Sequence, residues 1–219
     1  MDIKINAHSV VVFDLDDTLY NEIDFLKSAY RHISKHLETK NWKPLYSVML
    51  SIYRSEGNVF KFLVKKYNID LKVLIEMYRN HIPDIYLFDG VLEVINSIKS
   101  NKGKLGIITD GRVKTQSAKL KALGIENLFD KVVISEALGT EKPNEANYKT
   151  IETSLAGSEY YYIADNLIKD FVTPNSLGWE TIGLIDNGLN IHGNAHQHYS
   201  KANMPNHFIL SYKELKITR

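Results

Sequence analysis

The chain contains no cysteine, so disulfides, thiolate nucleophiles and thiolate metal sites are excluded at the outset. Neither sign of charge is in real excess: 27 basic against 26 acidic side chains leave a formal net charge of +1. No long-range field gathers nucleic acid or an anionic membrane to such a surface, and neither is expected as a partner. No apolar run approaches the roughly 20 residues that span a bilayer. The N-terminus shows no basic segment leading into a long apolar one, so no secretion signal is expected and a cytoplasmic location is the default. Internal repeats and low-complexity tracts are also missing. What remains is an ordinary globular composition, 44% apolar and 24% charged over 219 residues. That is enough chain for one large domain, or for a core with a smaller insert, to bury a substantial interior.

The most informative stretch is Val10-Val11-Val12-Phe13-Asp14-Leu15-Asp16-Asp17-Thr18. Four apolar residues in a row read as a buried strand, central in a parallel sheet, over about 10–14. Asp14 then stands at the carboxyl edge of the sheet, where open α/β sheets bind their ligands. Asp14, Asp16 and Asp17 crowd like charges, which raises carboxylate pKa values unless a cation neutralises them. A hard divalent ion such as Mg²⁺, which takes oxygen ligands, suits such a cluster. A polar turn after a buried strand would account for these acids alone; the later motifs decide between the two readings.

From about 22 to 82 the pattern is helical. Phe25, Leu26, Ala29, Ile33 and Leu37 recur at three- and four-residue spacing. Pro44 is expected to open a second helix and Gly57 to end it. Two further helices are expected to follow, with Val59, Phe60, Leu63, Val64 and Tyr67 on the face of one and Leu71, Leu74, Ile75 and Tyr78 on the other. Lys27, Lys35, Arg54, Lys65 and Lys66 read as solvated helix faces. After this region the chain alternates. Helices are expected at about 90–101, 113–123 and 144–155, and strands at 105–109, 132–134, 160–164, 181–184 and 207–210. Residues 1–9 read as a polar lead-in, 186–206 as an irregular piece, and 213–217 as a terminal turn of helix. Alternation of this kind demands right-handed crossovers. The fold class expected is α/β: a doubly wound, mostly parallel, Rossmann-like sheet over 1–20 and 84–219, with a helical domain inserted at 21–83.

Four polar motifs fall at strand ends. Asp14 and Asp16 follow the first strand, Thr109-Asp110-Gly111 the second, Lys142 the third and Asp165 the fourth, with Asp170 five residues beyond. With the first strand central, all converge on one crevice. Acids for a cation, a hydroxyl and backbone N–H groups for an anion, and one lysine make an inventory suited to phosphoryl transfer.

The ordered set Asp14-Leu15-Asp16-Asp17-Thr18, Ile108-Thr109-Asp110-Gly111, Lys142-Pro143 and Asp165…Asp170 resembles the haloacid dehalogenase-like hydrolase superfamily. The inserted helices resemble that family's cap of the first kind. The stretch from Gln116 to Pro143 is similar to the branch of small-metabolite phosphatases. The resemblance implies a Mg²⁺-dependent phosphatase acting on a small phosphorylated metabolite (a sugar, nucleotide or amino-sugar-acid phosphate). It implies Asp14 as nucleophile and Asp16 as acid and then base. Thr109, the Asp110 N–H and Lys142 would hold the phosphate. Asp14, the Asp16 carbonyl oxygen and Asp165 would hold the metal, with Asp170 a supporting acid towards Lys142 or the metal's waters. Two positions depart from the pattern: Ala164 replaces a usual glycine and Asp110 a frequent asparagine.

The cap is expected to close over the site, and Tyr20, Asn21, Glu22 and Arg112 are candidates to touch the leaving group. His192, His196 and His198 lie close in sequence, as ligands of a transition metal or as residues of a surface loop. Rival functions are a phosphomutase on the same scaffold and a non-catalytic binding module. Halide displacement is a weaker rival, because it has no use for an acid at position 16.

Overall fold

The computed structural model describes residues 1–219. Two strands open the chain, β1 (Asp2–Lys4) and β2 (Ser9–Phe13). All five residues of β2 are buried, as its unbroken apolar run requires. After the helices of the insert come α5 (Val91–Ser100), β3 (Lys104–Thr109), α6 (Val113–Ala122) and β4 (Lys131–Ile134). They are followed by a short α7 (Ser135–Leu138), α8 (Glu145–Ser154), β5 (Glu159–Ala164), a short α9 (Val172–Ser176) and β6 (Glu180–Leu184). The chain ends in β7 (His207–Ile209) and β8 (Lys216–Thr218). In this sequence the insert supplies α1 (Glu22–Leu37), α2 (Trp42–Arg54), α3 (Val59–Tyr67) and α4 (Leu71–Asn80).

Six strands form one parallel sheet in the order β4-β3-β2-β5-β6-β7. The order reverses at β2, which makes its carboxyl end the switch point where such sheets bind ligands. The register is tight. Phe13 lies beside Ile107 on one side and Ile163 on the other. The chain therefore leaves β2, β3 and β5 at one level, and Asp14, Asp110 and Asp165 emerge along the same edge. The expected doubly wound α/β architecture is the one observed. On one face Val10, Val12, Ile108, Tyr148, Tyr162 and Trp179 are among the residues of a continuous apolar cluster.

Three local expectations are corrected. The polar lead-in is a strand: β1 pairs in parallel with β8, Ile3 beside Ile217, and Ile3 and Ile5 are buried. The terminal turn of helix is a 3-10 turn at Tyr212–Glu214 that runs directly into β8. Three-residue strands carry too little alternation to show in sequence, and only the pairing of the two chain ends creates them. Helix α2 begins at Trp42, ahead of Pro44. The proline sits in the first turn, where its missing N–H has no intrahelical partner to lose.

The chain divides into two compact units, Met1–Glu22 with Tyr86–Arg219, and Ile23–Ile85. The second has its own core, built from Leu26, Tyr30, Ile33, Met49, Leu63 and Leu74 among others. Asn58 accepts from the Lys61 N–H at 2.8 Å and Asp70 from the Lys72 N–H at 2.8 Å. These caps begin α3 and α4, each stabilising by about 1 kcal/mol. No helix of the structure is long and apolar enough to cross a membrane.

Candidate active site

Asp14 follows the last residue of β2, and its N–H donates to the Ile163 carbonyl at 2.9 Å, which fixes its height at the sheet edge. Its Oδ1 meets the Lys142 ammonium at 2.6 Å. The same ammonium lies 2.7 Å from Asp170 Oδ1 and donates to the Tyr162 hydroxyl at 3.3 Å. Both Lys142 and Asp170 are enclosed, their side chains 1% and 0% exposed. Burial alone would pull the lysine down, but Asp14 and Asp170 hold it well above the ordinary lysine range, so it stays charged. A cation between two carboxylates is what makes its burial tolerable.

Asp14 is pushed up to about 6, burial being the main cause and Asp170 adding to it, although Lys142 works the other way. Asp165 is raised well above the usual carboxylate range by burial and by the charges of Asp170 and Asp14. The Thr18 hydroxyl stands between the two, 3.2 Å from Asp14 Oδ2 and 3.2 Å from Asp165 Oδ1. Asn190 Nδ2 donates to Asp165 Oδ2 at 2.8 Å. One oxygen each of Asp14, Asp165 and Asp170 lie within 4.8 Å of one another, a grouping that can hold a metal ion. The donor set is all oxygen and short of positive charge, which fits a hard divalent cation. Asp170 has prior commitments besides Lys142, since its Oδ2 accepts from the Asn166 N–H at 3.0 Å.

Asp16 behaves differently from the expectation that crowding raises every acid of the cluster. Burial does push its carboxyl up. Lys119 outweighs that, meeting its two oxygens at 2.7 and 2.8 Å, and the Tyr20 hydroxyl and Gln116 Nε2 also donate to it. The balance holds Asp16 below the ordinary range, hence ionised. Gln116 also donates to the Thr109 hydroxyl at 2.5 Å. Gln116 and Lys119 are buried neighbours one turn apart on α6, and none of the four strand-end motifs includes either. The available signal was that both fall on the same face as the buried Leu120.

These groups surround a cavity of about 290 Å³ lined by Asp14, Asp16, Thr109, Asp110, Asp165 and Lys169, among others. Lys169 pairs with Asp110 at 2.7 Å, and Asp110 also accepts from the Lys142 N–H at 3.1 Å. An acid at position 110 thus has a cation of its own, supplied from the loop after β5. A larger cleft of about 740 Å³ lies beside Phe88 and Tyr212. Of its charged residues, Asp89 and Lys213 pair with each other at 3.0 Å and Glu93 is exposed, so it holds no buried acid.

The structure therefore brings Asp14, Asp16, Thr109, Asp110, Lys142, Asp165 and Asp170 together. The leaving-group candidates separate. Tyr20 is fully buried beneath Asp16. Asn21 accepts from Asn187 Nδ2 at 2.8 Å. Arg112 is exposed and lines an adjoining cavity of about 530 Å³. Glu22 faces the acid-lined cavity and is pushed up to about 8 by burial and the charge of Asp16. His192 lines that cavity too, while His196 and His198 lie in a 3-10 turn outside its lining.

Three comparisons give this geometry a family. The model of the haloacid dehalogenase-like hydrolases matches residues 11–184. A glyceraldehyde 3-phosphate phosphatase of Methanocaldococcus jannaschii is 28% identical over 193 residues, 80% of this chain and 84% of that protein. The pyrimidine 5'-nucleotidase YjjG of Escherichia coli is 25% identical over 221 residues, 94% of this chain and 95% of that protein. Among solved structures, YfnB from Bacillus subtilis bound to magnesium superposes with a TM-score of 0.67 at 19% identity, covering 95% of this chain and 97% of that one, a likeness of fold. A family match across most of the chain, on top of four strand-end motifs at one crevice, means that the chain belongs to the haloacid dehalogenase-like hydrolase family and is a hydrolase.

Proposed function

We propose that the protein is a magnesium-dependent phosphatase that hydrolyses a small phosphomonoester (a sugar, nucleotide or amino-sugar-acid phosphate) by way of an aspartyl-phosphate on Asp14. The observation that carries this is the Lys142 ammonium, buried between Asp14 and Asp170 at 2.6 and 2.7 Å, with Asp14 itself lining an acid-rich cavity. A lysine so placed neutralises a nucleophilic carboxylate and an incoming phosphoryl group together. Both curated relatives carry names that specify phosphorylated small molecules as substrates.

The substrate's phosphoryl oxygens are held by the Thr109 hydroxyl, the Asp110 N–H and Lys142. Asp14 attacks phosphorus and the ester oxygen leaves as the alcohol, taking its proton from Asp16. Asp16 then removes a proton from water, the hydroxide attacks the aspartyl-phosphate, and phosphate departs with Asp14 restored. The resting geometry favours the second of these tasks, since Asp16 is an ionised carboxylate held by Lys119, Tyr20 and Gln116. To act as the acid it takes up a proton and turns away from Lys119. Asp14, Asp165 and the Asp16 carbonyl oxygen are the proposed magnesium ligands, and Asp170 serves as the second counter-ion of Lys142. Magnesium, when bound, supplies charge neutralisation for the phosphoryl oxygens. The helices of residues 21–83 form the cap that selects the leaving group.

Hydrolysis of p-nitrophenyl phosphate with and without EDTA is the direct test, followed by a panel of phosphorylated sugars, nucleotides and amino-sugar acids. Activity is expected only with the metal. Asp14→Asn is expected to remove it by roughly 10³-fold or more while the circular-dichroism spectrum is kept. Full turnover by Asp14→Asn, or undiminished turnover in EDTA, would refute the reading. Conversion of a hexose 1-phosphate into another hexose phosphate without release of phosphate would make the enzyme a mutase.

A further inference from the structure

The stretch expected to be irregular, 186–206, begins with a tightly ordered loop. Asp186 Oδ1 accepts from the N–H groups of Gly188 at 2.7 Å, Leu189 at 3.1 Å and Asn190 at 3.1 Å. One carboxylate oxygen collecting three successive amides fixes the backbone locally, as Asx turns do. The loop is then attached to the first acidic motif. The Ile191 N–H donates to Asp17 Oδ2 at 2.9 Å, and Asn187 Nδ2 donates to Asn21 Oδ1 at 2.8 Å. Asn190 makes the one contact that reaches a proposed magnesium ligand: its Nδ2 donates to Asp165 Oδ2 at 2.8 Å. Asp165 Oδ1 faces Thr18 and Asp14 instead. His192, two residues on, lines the catalytic cavity.

We infer that Asn190 is a positioning residue for the metal site, holding Asp165 by one oxygen so that the other points at the cation. The inference rests on the reading that Asp165 is a ligand. Its physical content is rotational. A carboxylate with both oxygens unrestrained spends part of its time in orientations that cannot ligate, whereas one tethered at Oδ2 presents Oδ1 already aligned. Outer partners of metal ligands typically contribute 10- to 100-fold in affinity through this ordering. An amide suits the position, because it donates without adding negative charge to a site that already has three buried acids. The loop thereby becomes a wall of the site contributed from beyond β6, outside the four strand-end motifs.

The test is calorimetric titration of the EDTA-stripped protein with magnesium alone, comparing wild type, Asn190→Ala and Asn187→Ala. Asn190→Ala is expected to raise the magnesium dissociation constant about 10-fold or more. Its metal-free melting temperature is expected to stay within about 2 °C of wild type, so that the loss is one of metal binding and not of folding. Asn187→Ala loosens the same loop without touching Asp165 and is expected to leave magnesium affinity within about two-fold. Equal magnesium affinity in wild type and Asn190→Ala overturns the inference. So does an Asn187→Ala loss as large as that of Asn190→Ala, which would make general loop placement the cause. Absence of magnesium binding by the wild type would overturn the proposed function first, and this inference with it.

Discussion

At Asp16, burial and pairing pull in opposite directions. Lys119 is 4% exposed and Asp16 19%, so neither charge has water enough to stand alone. Lys119→Met is therefore expected to cost about 3 kcal/mol, the lower end for breaking a buried pair because Asp16 keeps some solvent. In an Asp16→Asn background the same change should cost much less, since no stranded charge remains. Urea unfolding of the four proteins measures the difference; a cost under about 1 kcal/mol in the wild-type background would mean the pair is solvated. Asp14 supplies a pH prediction. Its folded value of about 6 lies above the ordinary 3.8, so the metal-free fold prefers the protonated form. Its contribution to stability is thus largest below about 4 and falls as the pH rises through about 6. Magnesium reverses the preference, because a ligating carboxylate has to lose its proton. Magnesium affinity is expected to be full above about 6 and to weaken as the pH falls through it, with proton release visible in buffers of different ionisation enthalpy. Constant affinity from pH 7 to 5 would contradict the assignment of Asp14 as a ligand.

Among the elements, the C-terminal segment does more than close the chain. Tyr212, in the 3-10 turn before β8, is buried and donates to the Thr18 carbonyl at 3.0 Å, and its ring lies 6.4 Å from that of Phe13. Thr18 in turn bridges Asp14 and Asp165. The pairing of β1 with β8 thus holds in place a turn that supports the acidic loop from behind. Tyr212→Phe keeps the ring and strands the carbonyl, at an expected cost of about 1–2 kcal/mol in unfolding free energy. No measurable change would show that the Thr18 carbonyl finds another donor. The helix elements follow simpler rules: α1 buries Leu26, Tyr30 and Ile33 at four- and three-residue spacing, and its pattern was readable without tertiary information.

For the whole molecule, the two compact units predict two responses. Leu63 is fully buried in the helical unit, and Leu63→Ala is expected to destabilise that unit by roughly 3 kcal/mol through lost transfer energy and a residual cavity. Magnesium at about 100 times its dissociation constant is expected to stabilise the α/β unit by about 2.7 kcal/mol. Differential scanning calorimetry should show the mutation lowering one transition and the metal raising the other. A single transition moved equally by both would mean that the chain unfolds as one cooperative body.

The sequence by itself determined the parallel α/β sheet with its inserted helices and the order of the four strand-end motifs. Those features are written in short-range patterns, namely apolar runs, three-and-four spacing and acids placed just after strands. The same patterns led to Asp14, Thr109, Lys142 and Asp165, because a strand end in a parallel sheet has only one edge on which to emerge. Tertiary structure decided the rest. Lys119 and Gln116 look like ordinary helix-surface residues until α6 turns them towards Asp16. Lys169 becomes the partner of Asp110 only when two loops 59 residues apart along the chain meet. Asn190 reaches Asp165, and β1 finds β8, through contacts with no local signature. Charge pairing inside a folded chain depends on distances of a few ångströms between remote segments, and one-dimensional spacing does not encode those distances.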